Sequence, residues 1–98
     1  MQALEIASFR LKDADKAAFL EANDAVNAWM RRQPGFVQRQ LGLEPDGTWI
    51  DVITWASRAE ALAAAEQMGR DAASLPAMLM IDPASVVMRH ADIEAVFS

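Results

Sequence analysis

The chain has 98 residues, 53% apolar and 23% charged, which suits one globular domain rather than a disordered segment. A net charge of −5 and a pI near 4.6 exclude the clustered Lys and Arg that nucleic acid demands. Cysteine is absent, no apolar run approaches ~18 residues, and "MQALEIASFR" does not read as a signal peptide. A cytoplasmic protein without membrane spans, disulfides or thiolate chemistry is expected.

Residues 3–11, "ALEIASFRL", alternate imperfectly and predict a strand. Leu4, Ile6 and Ser8 fall on one face; Ala3, Glu5, Ala7, Phe9 and Leu11 fall on the other. Glu5 is expected at a strand end with access to solvent. Asp13 is the expected N-cap of a helix over 14–32, whose apolar stripe runs Phe19, Ala22/Asn23, Val26 and Trp29/Met30. Pro34-Gly35 stops that helix, and Arg31 and Arg32 suit the negative end of its dipole. "FVQRQLGLE" (36–44) predicts a second strand and "TWIDVITW" (48–55) a third. "PDG" between them is a hairpin turn in which Gly47 can take positive φ.

"ITWASRAEAL" (53–62) then turns a β-branched run into a helix with only Ala56 between. Ser57 with Glu60 three residues later is a capping box: the hydroxyl takes one free N–H and the carboxylate reaches back for another. The helix is expected from Ser57 to about Ala73, with Leu62, Ala65 and Met68/Gly69 facing in. Pro76 permits a further turn over "AMLM", Asp82-Pro83 ends it, and "SVVMRHADI" (85–93) is the last strand.

The order is β-α-β-β-α-β, the ferredoxin-like α+β arrangement, with a four-stranded antiparallel sheet and two helices on one face. Two helices leave the other face open, yet the third strand is apolar on both: Trp49, Ile53 and Trp55 against Ile50, Val52 and Ala56. The fourth repeats this with Val86 and Met88 against Val87, Ala91 and Ile93. A sheet face left in water would alternate to polar residues. A homodimer packed sheet against sheet is the expected answer.

This order, the two-faced sheet, "PGF" opening the second strand and "WASRAEAL" (55–62) resemble the antibiotic biosynthesis monooxygenase-like family of dimeric α+β barrels. The resemblance covers roughly residues 3 to 92. It implies a homodimer and a small-molecule pocket. Members include cofactor-independent monooxygenases acting on quinol-like aromatics, haem-degrading enzymes, and proteins of no known activity. Trp55 sits where both enzyme branches have a pocket tryptophan. The haem branch also has an asparagine on strand one, where this chain has Ala7 and Ser8. Its iron-binding histidine ends helix two, where this chain reads "GRDAAS" (69–74). No haem and no other cofactor is therefore expected.

The candidate residues each carry two readings. Trp55 could stack on a flat substrate and donate its indole N–H to an oxyanion or peroxide, or it could be core. Asp51, on the face of Trp55, could be a base for a phenolic substrate or the partner of Arg39 across the hairpin. Asn23, in the apolar stripe, could bond a ligand or a neighbouring backbone group. His90, the only histidine, could be a general base or an ordinary surface or interface residue of a strand. Phe9, Phe19, Met30 and the other methionines, Met68, Met78, Met80 and Met88, could line an adaptable apolar pocket or simply fill core. No metal site is expected, because His90 has too few partners. The function expected is binding of a small apolar or aromatic molecule, with oxidation of a quinol-like substrate by dioxygen if the protein is an enzyme. A non-catalytic binding or assembly domain is the alternative.

Overall fold

The computed structural model describes residues 1–98. Strands β1 (Ala3–Phe9), β2 (Phe36–Leu43), β3 (Trp49–Trp55) and β4 (Val87–Asp92) form one antiparallel sheet in the order β2-β3-β1-β4. Helices α1 (Lys16–Arg31) and α2 (Arg58–Asp71) pack on one face, and the short α3 (Pro76–Leu79) follows a 3₁₀ turn over Ala72–Ser74. This is the ferredoxin-like α+β fold. No helix is long and apolar enough to cross a membrane.

Alternation sets the sheet's two sides as expected. Ala3, Glu5, Ala7 and Phe9 of β1 and Trp49, Asp51, Ile53 and Trp55 of β3 are buried toward the helices. Leu4, Ile6, Ile50 and Val52 occupy the open side and are only half-buried, with Val87 more exposed beside them. Small residues let the layers approach: Ala61 and Ala64 are the buried positions of α2. Leu62, expected to face in, is exposed, as is Gly69. The helix is rotated so that its smallest side chains meet the sheet's largest, Trp55 among them.

The ends of elements differ from expectation for local reasons. Asp15, not Asp13, caps α1, its carboxylate accepting from the Ala18 N–H at 3.0 Å. In the capping box of α2, Ser57 Oγ accepts from the Glu60 N–H, while Glu60 Oε1 accepts from the Ser57 hydroxyl instead of a backbone N–H. Strand β1 ends at Phe9 because Arg10 leaves the ladder: its N–H donates to Ser85 Oγ and its carbonyl accepts from Asp82 N–H. Leu11 rejoins only through a lone bridge to Ile81. That bend ties the α3–β4 connection over the end of the sheet.

Gly35, at φ +82°, turns the chain after α1 and offers its carbonyl to the Ala56 N–H at 2.7 Å. A side chain there would collide with Glu60. The end of β3, and Trp55 with it, is thus held from the turn as well as from the capped helix.

Candidate active site

Between the helix-facing side of the sheet and the helices lies a cavity of about 240 Å³, lined mostly by apolar side chains. Phe9 and Ile53 form its floor, Val26 and Met30 come from α1, and Met68 from α2. Met78, Pro83, Val86 and Met88 surround the other end, where Val86 and Met88 are among the exposed apolar residues. A smaller chamber of about 90 Å³ adjoins it under α2, walled by Trp29, Trp55, Ala64 and Ala65. Both spaces are lined by Glu5, Met30, Met68 and Met88, so these residues mark where they meet. An apolar cavity of about 150 Å³ already takes benzene, so this one has room for fused rings.

The polar side chains around this cavity fall into two groups. Asp51 and Arg39 form an ion pair across the β2–β3 hairpin, Nε to Oδ1 at 2.9 Å and Nη2 to Oδ2 at 2.8 Å. Arg39 also donates to Asn27 Oδ1 and to Asn23 Oδ1, each at 2.8 Å. Asn23 turns its own amide N–H to the Phe19 carbonyl at 2.9 Å. This cluster pins the hairpin to α1, and every member has its partners.

The second group is not so served. Glu5 on the central β1 is paired in register with His90 on the edge strand, and Glu5 Oε1 lies 2.9 Å from His90 Nε2. Burial pushes the Glu5 carboxyl above the usual carboxylate range, and the hydrogen bond and charge of His90 offset this only in part. Trp55 is 1% exposed, and its Nε1–H is the one buried side-chain polar atom without a partner. The contrast with Trp29 is direct: its indole donates to Asp71 Oδ2 at 2.8 Å, which holds the Asp71 carboxyl below its ordinary range.

Solved structures with the same architecture include oxygenases. SnoaB, a cofactor-independent oxygenase from Streptomyces nogalater, is 20% identical over 99% of this chain and 95% of its own, with a TM-score of 0.69. A monooxygenase from the gene ActVA-Orf6 of Streptomyces coelicolor, in complex with the ligand Nanaomycin D, is 16% identical over 98% of this chain and 90% of that one, with a TM-score of 0.74. A protein from Bordetella bronchiseptica described as a candidate antibiotic biosynthesis monooxygenase is 14% identical over 96% and 98%, with a TM-score of 0.78. No protein-family profile matches the chain, and no curated protein sequence matches it. The chain has the antibiotic biosynthesis monooxygenase-like fold.

Within that fold the candidate residues separate. Phe9, Met30 and Asp51 line the larger cavity and Trp55 the smaller. Phe19 does not line either: it is fully buried in an aromatic cluster, 5.8 Å from Phe9 and 4.9 Å from Trp49 between ring centroids. Asn23 is likewise withdrawn, its amide occupied by Phe19 and Arg39. Asp51 reaches the wall already engaged by Arg39. His90 lines neither space and acts on them only through Glu5. Met80 lies outside the lining, while Met68, Met78 and Met88 belong to it.

Glu5 is the residue that sequence reasoning set aside. It is 6% exposed, not a solvent-reaching strand end, because β4 covers the side of β1 that β3 leaves free. The alternation that put it on the face of Phe9 was the available signal. Its partner lies 85 positions away, and only the strand order brings the two together.

Proposed function

We propose that this protein binds a small, flat aromatic molecule between sheet and helices and oxidises it with dioxygen. Trp55, at the wall of the smaller chamber and with an indole N–H that no protein group accepts, is the observation that carries the reading. A buried donor without an acceptor is costly, and a ligand oxygen would satisfy it. The same donor would stabilise negative charge developing on an oxygen in a site that excludes water. The names of the structural neighbours, one a cofactor-independent oxygenase and one bound to Nanaomycin D, support this choice of substrate class.

The chemistry can be written without an added redox group. Loss of a proton turns a quinol-like ring system into an electron-rich anion, which passes one electron to dioxygen. The resulting radicals combine to form a C–O bond to peroxide, and loss of water leaves a carbonyl. In sum, a ring CH₂ and O₂ become C=O and H₂O. Anthrone is a suitable probe, with oxygen uptake and tryptophan quenching followed together. Trp55→Phe should keep the protein folded and lower turnover by about 10²-fold or more, as loss of one oxyanion donor does. Quenching by anthrone without oxygen uptake would leave a binding domain; neither response would remove the proposal.

We also propose that the open sheet face meets a second copy of the chain. Leu4, Ile6, Ile50, Val52 and Val87 give it an apolar centre that water would leave unsatisfied. The interface should exceed ~1,000 Å² in total. Sedimentation equilibrium at micromolar concentration tests this: a dimer is expected, and Val52→Asp should dissociate it. A stable wild-type monomer would overturn the idea.

A further inference from the structure

We propose that Glu5 is the proton acceptor of this site, with His90 as its positioning partner, and that the ligand therefore carries an acidic O–H. This rests on the reading of the cavity as an active site and adds the group that starts the reaction. Glu5 is the one carboxylate that lines both the larger and the smaller space, so a ring in one and an oxygen in the other would both lie beside it. Asp51, the other acid in the lining, accepts three hydrogen bonds from Arg39 and would have to break a buried ion pair to take a proton. Glu5 has a single partner. Its Oε1 is held by His90, and Oε2 has no hydrogen bond within the protein.

The charged groups around Glu5 are few. His90 faces it from β4, Asp51 from β3 and Arg39 from β2, while α1 and α2 contribute the uncharged Met30 and Met68. Arg39 is turned to Asp51 and the two asparagines, so no guanidinium neutralises Glu5 directly. An acid kept only to stabilise the fold would be poorly placed here, since its surroundings favour the neutral form. That is the property a base needs. The His90 side chain, 13% exposed on the edge strand, gives the couple a way to exchange protons with water.

The step is a plain proton transfer. The substrate O–H bond, which for anthrone is that of its enol tautomer, breaks, its electron pair stays on the oxygen and spreads into the ring, and an O–H bond forms on Glu5. After dioxygen has added to the ring, Glu5 returns that proton to the departing hydroxide, which leaves as water. Glu5 is again a carboxylate, and no further reactant is needed.

The test uses 2-naphthol, its methyl ether 2-methoxynaphthalene, and anthrone, with the full chain. Tryptophan quenching at pH 8 should show wild type preferring the naphthol by about tenfold or more, because only it can donate to Glu5. Glu5→Gln should bind the ether unchanged, lose the preference, and oxidise anthrone about 10²–10⁴-fold more slowly, the usual worth of a positioned base. His90→Gln removes two influences that lower the Glu5 pKa, so its pH–rate profile should rise at higher pH than wild type. A purely structural His90 would leave that profile in place. If wild type binds the ether but shows no preference for the naphthol, or if Glu5→Gln keeps preference and turnover, Glu5 is not the acceptor. If neither naphthalene binds, the cavity reading itself falls and this one with it. Should Glu5→Gln fail to fold, infrared difference spectra of wild type keep the question open to decision. Naphthol binding, but not binding of the ether, must then shift the carboxylate stretching bands as a new hydrogen bond to a buried carboxylate does, and the absence of that shift overturns the proposal.

Discussion

Asp51 and Glu5 lie on the same face of the sheet, on neighbouring strands, both less than a tenth exposed. Asp51 stands against a guanidinium that also holds Asn23 and Asn27. Glu5 stands against one imidazole, with the partnerless indole of Trp55 along the wall of the same chamber. A polar group that is fully bonded holds strands and helices in register and has little left to offer a ligand. A polar group left short raises the free energy of the empty protein and lowers it again when a ligand supplies what is missing. The difference between the two halves of one floor separates architecture from chemistry more sharply than residue type does.

The largest effect should come from breaking the satisfied half. Arg39→Met leaves Asp51 buried without its partner, which costs about 3–5 kcal/mol when one member of a buried pair is removed. Against a domain stability of about 5–15 kcal/mol this approaches unfolding, and urea denaturation would show it. Arg39→Met combined with Asp51→Leu should recover most of the loss, because no charge is then stranded. If the double variant is no better than the single one, the cluster is not the structural pin described above.

Trp55 tests the other half. Trp55→Ala opens a void at a residue with 1% exposure and should cost about 3–5 kcal/mol, as large aromatics in cores do. Trp55→Phe keeps most of the volume and should cost on the order of 1 kcal/mol, while removing the one indole N–H in the wall that lacks a partner. Thermal melts and anthrone quenching on the same samples separate the two roles. A Phe variant with wild-type binding and turnover would make Trp55 core alone.

How far these features could be read in the sequence depends on how local they are. The capped start of α2, the hairpin at Gly47 and the Arg39–Asp51 pair all lie within short stretches, and each was legible as a pattern or a named alternative. The helix phase of α2 was not: Leu62 is the larger apolar residue, but close packing over Trp55 selected Ala61 and Ala64. Competition between Asp13 and Asp15 for one cap was decided by which backbone N–H groups the turn presents. The Glu5–His90 pair was out of reach for a different reason. Strand alternation gives the face of each residue, but which strand lies beside β1, and in what register, depends on the whole chain.

The smallest effect is the most pointed, because its sign opposes that of an ordinary core mutation. The folded-state pKa of Glu5 is raised, so folding binds its proton more tightly than the unfolded chain does. The stability linked to that proton is fully present below the ordinary glutamate range, near 4.5, and is lost as pH rises through the folded value. Glu5→Gln keeps the shape and an acceptor for His90 but has no charge to bury. Its stability should therefore exceed that of wild type at neutral and higher pH, and the advantage should vanish toward pH 4. Guanidinium unfolding of both proteins across that range measures the difference directly. A variant less stable than wild type at every pH would mean that the Glu5–His90 interaction outweighs the burial of the carboxylate. Glu5 would then belong with Asp51, on the architectural side of the floor.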